Sequence, residues 1–248
     1  MVPTESEIAY LLHETTTAIP GAGLDRDSVL YAYAGLRPLP NQAGSESGIT
    51  RRHVIHNHAP AVSGLLSVIG GKLTTFRNLS EQVVDAVGEM QGRNLPPSDT
   101  AQATLPGGSE APGAVARSLQ RDRPEWLSQQ SVAYLVRIYG CRARDVIALA
   151  ETEPDLRDVI HPETGAIAAT VAFAFRHEHA RTLTDSLMRR TMIGYAADAG
   201  FDALPDAARV AGAAAGWDEA RVRDEVERHC QYMTRFLPRA AVAAQPVA

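Results

Sequence analysis

The tightest constraint on how this chain folds is a thirteen-residue run, Leu65-Leu66-Ser67-Val68-Ile69-Gly70-Gly71-Lys72-Leu73-Thr74-Thr75-Phe76-Arg77. Its first part is short and almost continuously apolar, which predicts a strand buried on both faces. Two glycines follow. Leu73, Phe76, Leu79, Val83, Val87 and Met90 then recur at spacings of three and four, tracing one face of a long helix. The run therefore predicts strand, glycine turn and helix, with Lys72 and two threonines in the first helical turn. Such a turn is suited to an electron-rich ligand. The first amides of a helix have no intrahelical acceptor, the helix dipole is positive there, and glycines let the backbone approach closely. A plain β–α turn with a solvent-facing lysine fits the same local pattern.

Around this unit the sequence predicts an α+β chain: a mixed portion of strands and helices, followed by an all-α bundle. Thr4 and Glu7 form a capping box for a helix running to about Thr16. Ser28 to Tyr33 is rich in β-formers and predicts a strand, and Arg51 to His56 predicts another. Pro96-Pro97, Pro106-Gly107-Gly108 and Pro112-Gly113 interrupt all periodicity. Residues 1–92 are therefore expected as the mixed portion, 93–125 as a linker and 126–248 as a helical domain. Within that domain, helices are expected to open at Ser128, Pro205 and Asp218, with a stop at Gly216.

Composition narrows the function classes. With 248 residues and 45% hydrophobic content the chain can bury a real core. A net charge of -5 argues against a nucleic-acid partner. Two distant cysteines, Cys141 and Cys230, exclude a disulfide scaffold or a thiolate zinc site and point to a reducing, cytoplasmic setting. The acidic N-terminus is unlike a secretion signal, and no apolar stretch approaches the roughly 20 residues of a spanning helix. Peripheral attachment to the inner face of a membrane remains compatible with this.

Charge within the chain is uneven. Lys72 is the only lysine, whereas the other 23 basic residues are arginine. Lysine is compact and tunes its pKa more readily than guanidinium, which suits a place beside a reacting centre. Between positions 37 and 77 stand Arg37, Arg51, Arg52, Lys72 and Arg77 against one acid, Glu46. These cations flank strands and a glycine turn instead of filling a polar helix face, so an anion pocket is favoured over a merely solvated surface. His53 belongs with that pocket. His56 and His58 share a strand face, but no Asp, Glu or Cys nearby completes a ligand set, and no metal is expected. Arg176-His177-Glu178-His179 is expected mid-helix as surface ion pairs.

Several ordered strings resemble one family. Tyr33-Ala34-Gly35-Leu36-Arg37-Pro38-Leu39, Thr50-Arg51-Arg52-His53 and Gly64 through Arg77 are similar, in order and spacing, to the FAD-dependent glycerol-3-phosphate dehydrogenases. Gly70-Gly71-Lys72-Leu73-Thr74-Thr75-Phe76-Arg77 resembles that family's Gly-Gly-Lys-x-Thr-Thr-Tyr-Arg string, with Phe76 in place of Tyr. The string from Arg176 through Thr191 resembles its C-terminal helical domain, and the resemblance implies that the mixed portion, residues 1–92, is part of an FAD-binding/substrate domain. The resemblance implies FAD held against Gly70, Gly71, Lys72, Leu73 and Thr74, with Lys72 also catalytic. It implies that Arg37 and Arg51, joined by His53, bind glycerol 3-phosphate, which is oxidised to dihydroxyacetone phosphate with electrons passed to a quinone or another acceptor. The family's Gly-x-Gly-x-x-Gly dinucleotide motif and its catalytic histidine have no counterpart here. The resemblance therefore implies a partner, an N-terminal FAD-binding half, without which the chain is inactive. A non-catalytic phosphate-binding or interaction module is the alternative.

Overall fold

The structure is a computed structural model and describes residues 2–36 and 52–237. It divides into two compact units, one formed by Met1–Ala34 with Leu105–Ala248 and the other by Gly35–Thr104. Arg37 and Arg51 lie outside the described residues.

The chain opens with α1 (Glu5–Ala18), whose N-terminus carries the expected reciprocal box: Glu7 N–H donates to Thr4 Oγ1 and Thr4 N–H to the Glu7 carboxylate. The strand expected over residues 28–33 does not form. Residues 29–36 are irregular, Ala32 N–H donates to the Phe236 carbonyl at 2.8 Å, and Tyr31 stacks on Phe236 at 5.0 Å. These β-formers serve as aromatic anchors beside a loop, because no neighbouring strand offers them a ladder.

In the smaller unit, β1 (Val54–Asn57) and β2 (Leu66–Ile69) form an antiparallel ribbon with Val54 opposite Ile69 and Asn57 opposite Leu66. A three-residue 3-10 turn, Leu73–Thr75, leads into α2 (Phe76–Met90), as the periodicity predicts. The strand expected to be buried on both faces is not: it has one neighbour, and Val68 is 44% exposed. Gly88 is the only buried residue among those described in this unit. Val54, Val62, Leu65, Leu73, Phe76 and Val84 all face solvent.

The larger unit holds the core. Residues expected as linker include α3 (Pro112–Arg121), where Pro112 occupies the first turn and needs no N–H acceptor, and Val115 is fully buried. Pro112-Gly113 thus starts a helix instead of breaking one. Then come α4 (Gln129–Tyr139), capped by Ser128, and α5 (Ala143–Thr152). A small antiparallel hairpin, β3 (Val159–His161) with β4 (Ala166–Ile167), interrupts what the sequence presents as wholly helical. Helix α6 (Ala168–His177) is buried from Ala168 through Ala174 and packs on both α5 and α7 (Leu204–Ala215), so it forms the centre of the bundle. Gly216 ends α7 in the left-handed conformation, and Asp218 caps α8 (Glu219–Met233).

Beyond α6 the chain forms a π-helical stretch, Asp185–Arg190. Arg176 to His179 lies at the end of α6, not in its middle. Arg176 pairs with Glu153 at the surface, while His179 adopts a φ of 59° and closes the turn.

Candidate functional site

The smaller unit shapes an open cleft of about 890 Å³, lined by Arg52, His53, Val54, Ile55, Lys72, Thr75, Asn78 and Gln82. Three elements meet there. The end of β2 delivers Gly70 and Gly71, the start of β1 delivers His53, and the first two turns of α2 deliver Asn78 and Gln82.

Gly70 and Gly71 have φ values of 75° and 103°, which the chain needs to leave β2 and enter the helix within two residues. At Gly71 an added Cβ would lie 3.4 Å from His53 Cβ, ordinary contact, so it is the positive φ that calls for glycine here. The Lys72 carbonyl accepts from Thr75 N–H and from Thr75 Oγ1, each at 3.0 Å, which fixes the turn. The Lys72 side chain is exposed, and among the described residues no carboxylate pairs with it. Leu73 is 89% exposed, and the amides of Leu73 and Thr74 begin the helix without an intrahelical acceptor.

His53 is braced from the opposite side. Its Nε2 lies 2.9 Å from Gln82 Oε1, and Gln82 Nε2 donates to Asn78 Oδ1 at 2.7 Å. Sequence reading placed the apolar face of α2 but missed these two amides. The available signal was the polar spacing Thr75, Asn78, Gln82, which continues from Lys72 on one side of the helix. Arg77, counted with the basic group in sequence, is instead committed to Glu81 at 2.8 Å and Thr100 at 3.1 Å. Lys72 and His53 thus share one cleft with Arg52, and Gly70, Gly71, Leu73 and Thr74 form the turn beside it. His56 and His58 meet edge to face at 4.5 Å, with His58 Nε2 on Ser67 Oγ at 2.8 Å.

The larger unit brings together one metal-like group, His161, Glu163 and Asp198. Its hydrogen bonds define a brace. Thr164 N–H donates to His161 Nδ1 at 3.3 Å, which places the ring proton on Nε2, facing Asp198 Oδ1 at 3.0 Å. The Asp198 carboxylate also accepts the amides of Gly200 and Asp202. Burial pushes its pKa up, but these amides and His161 outweigh that and leave it lowered. His161 is buried and both its ring nitrogens are already used: Nδ1 meets Thr164 Oγ1 at 2.9 Å within the β3–β4 turn, and Nε2 ties β3 to Asp198 in the loop before α7.

Comparison with known proteins shows the family and the fold. Residues 98–222 match the family described as the C-terminal domain of alpha-glycerophosphate oxidase, and the chain belongs to that family. A glycerol-3-phosphate dehydrogenase of Synechocystis is 36% identical over 233 residues, covering 93% of this chain and 42% of the relative. The mitochondrial glycerol-3-phosphate dehydrogenase of Mus musculus is 31% identical over 245 residues, covering 95% and 32%. The crystal structure of the Bacillus halodurans glycerol-3-phosphate dehydrogenase complexed with FAD superposes with a TM-score of 0.71 at 22% identity, over 100% of this chain and 47% of that one, and shows a shared fold. The chain spans roughly two fifths or less of the length of these curated relatives. No helix among the described residues is long and apolar enough to cross a membrane.

Proposed function

We propose that this chain forms the substrate-facing turn and helical domain of an FAD-dependent glycerol-3-phosphate dehydrogenase, with the dinucleotide grip supplied by an N-terminal FAD-binding half. The observation that carries this reading is the Gly70-Gly71-Lys72 turn. It exposes two helix-start amides and the chain's only lysine beside an open cleft. The donors suit a flavin: amides and a positive dipole end favour the electron-rich pyrimidine edge, and the glycines leave room for a flat ring.

In this reading Gly70, Gly71, Lys72, Leu73 and Thr74 contact FAD, which when bound supplies the hydride-accepting ring for oxidation of the substrate C2. Arg37 and Arg51 grip the phosphate of glycerol 3-phosphate bidentately, His53 adds a donor, and Lys72 orients the reacting end by its charge. Electrons leave to a quinone or another acceptor, at the cytoplasmic face of a membrane. The relatives named for this activity and the FAD-bound structural neighbour support the assignment.

The test is reconstitution. The chain is co-expressed with the N-terminal half of the Synechocystis relative, and glycerol 3-phosphate oxidation is followed with an artificial electron acceptor. Activity is expected in the pair and absent in the chain alone. Lys72→Ala and Arg37→Ala should each lower kcat/KM by about 100-fold, the usual scale for removing one charge-stabilising donor. Stoichiometric FAD on the isolated chain, or full activity of Lys72→Ala, overturns the reading. Phosphate binding that never depends on flavin would leave a binding module instead.

A further inference from the structure

The cleft contains a polar chain that the glycine-lysine turn does not explain: Asn78 Oδ1, Gln82 Nε2, Gln82 Oε1 and His53 Nε2 in sequence. We propose that Gln82 is a positioning residue that sets the tautomer of His53 and thereby presents its Nδ1 to the anionic end of the substrate. The inference rests on the reading of His53 as a substrate-binding residue, and it concerns a residue that neither the sequence motifs nor the comparisons single out.

Asn78 lies four residues before Gln82 on α2, so their side chains meet, and the Gln82 amide nitrogen donates to Asn78 Oδ1 at 2.7 Å. That commits the Gln82 carboxamide oxygen to the other direction, where it stands 2.9 Å from His53 Nε2. A carbonyl oxygen only accepts, so Nε2 carries the proton. Nδ1 is the remaining polar atom of the ring, and among the described residues it has no hydrogen-bond partner. As a neutral ring His53 offers Nδ1 as a lone pair. Once protonated, it offers Nδ1–H to an anion while Gln82 keeps its bond to Nε2. The Gly71 turn lies beside the His53 side chain, where a Cβ added to the glycine would stand 3.4 Å from His53 Cβ. The hydrogen bond to Gln82 is therefore what restrains the ring. Lys72 and Arg52 line the same cleft and add positive charge to it.

The experiment is nitrogen-15 NMR of the full chain, resolving the His53 ring tautomer and following it by pH titration with and without glycerol 3-phosphate. The unsubstituted chain is expected to show the Nε2–H tautomer alone. Gln82→Ala should give a mixture of tautomers at the same backbone shifts. Gln82→Glu should retain Nε2–H, because a carboxylate oxygen also only accepts. An Nδ1–H tautomer in the unsubstituted chain overturns the proposal. So does a His53 ring whose tautomer is the same in Gln82→Ala as in the unsubstituted chain. The two readings fail separately. If glycerol 3-phosphate moves His53 equally with and without Gln82, the substrate contact stands and the positioning role falls. If Gln82 sets the tautomer but glycerol 3-phosphate never perturbs the ring, the positioning stands and the substrate contact falls.

Discussion

His229 shows how strongly burial acts on a single side chain in this protein. It is fully buried on α8, its Nδ1 meets Thr184 Oγ1 at 3.1 Å, and its Nε2 has no partner among the described residues. One turn earlier on the same face, Glu225 accepts Leu183 N–H at 2.7 Å and pairs with Arg221 at 2.6 Å. Burial lowers the His229 pKa from 6.5 to about 4. Between those values the unfolded chain binds the proton and the folded chain does not, so stability is intact above pH 6.5 and falls as the pH drops toward 4. The shift corresponds to about 3 kcal/mol lost across that window. Urea denaturation followed by the fluorescence of Trp126 and Trp217, both packed on the larger unit's core, should show that loss. His229→Gln should flatten it, and an unchanged slope in that variant would assign the acid sensitivity elsewhere. At this scale the sequence was informative wherever the cause is local. Gly70, Gly71 and a lone lysine declare themselves within three positions. Gln82 did not, because its role depends on His53, 29 residues away in the chain.

Among the elements, those with chemical caps were readable and those defined by pairing were not. Thr4, Ser128 and Asp218 each accept an N–H of the first helical turn, and Gly216 ends α7 in the left-handed region, all as the residues imply. The strand expected over 28–33 failed because β propensity is realised only beside another strand, and Tyr31 found Phe236 and Tyr195 instead. The hairpin β3–β4, of three and two residues, is too short for any period to register. The ribbon of β1 and β2 has the opposite problem: its residues form strands but gain little burial. Val54, Leu65 and Val68 are each more than 40% exposed, and two strands with no packed face are marginal on their own. Hydrogen exchange on the chain alone should therefore find the amides of β1, β2 and α2 exchanging much faster than those of α4, α6 and α7, where residues such as Val132, Leu135 and Val171 are fully buried. Equal protection in the two sets would mean that the smaller unit needs no covering surface.

At the scale of the whole molecule, the two units divide the labour. The larger carries the dense core and most of the family match, which spans residues 98–222, and in the metal-like cluster found among its described residues His161 and Asp198 brace a loop. The smaller carries the cleft, the glycine turn and an apolar surface that its described residues do not cover. The α+β class and the helical second half were legible from periodicity alone. The packing of 105–125 was not, because it depends on Gly107 meeting Gly140 and on Glu110 reaching Arg144, contacts more than 30 residues apart in sequence. In the proposed function the turn after β2 faces the flavin. The most direct measurement is hydrogen exchange at Leu73 and Thr74 in the chain reconstituted with an FAD-binding N-terminal half, compared with and without FAD. The account predicts marked slowing at those two amides when the cofactor is added. Slowing elsewhere, with Leu73 and Thr74 unchanged, would contradict it.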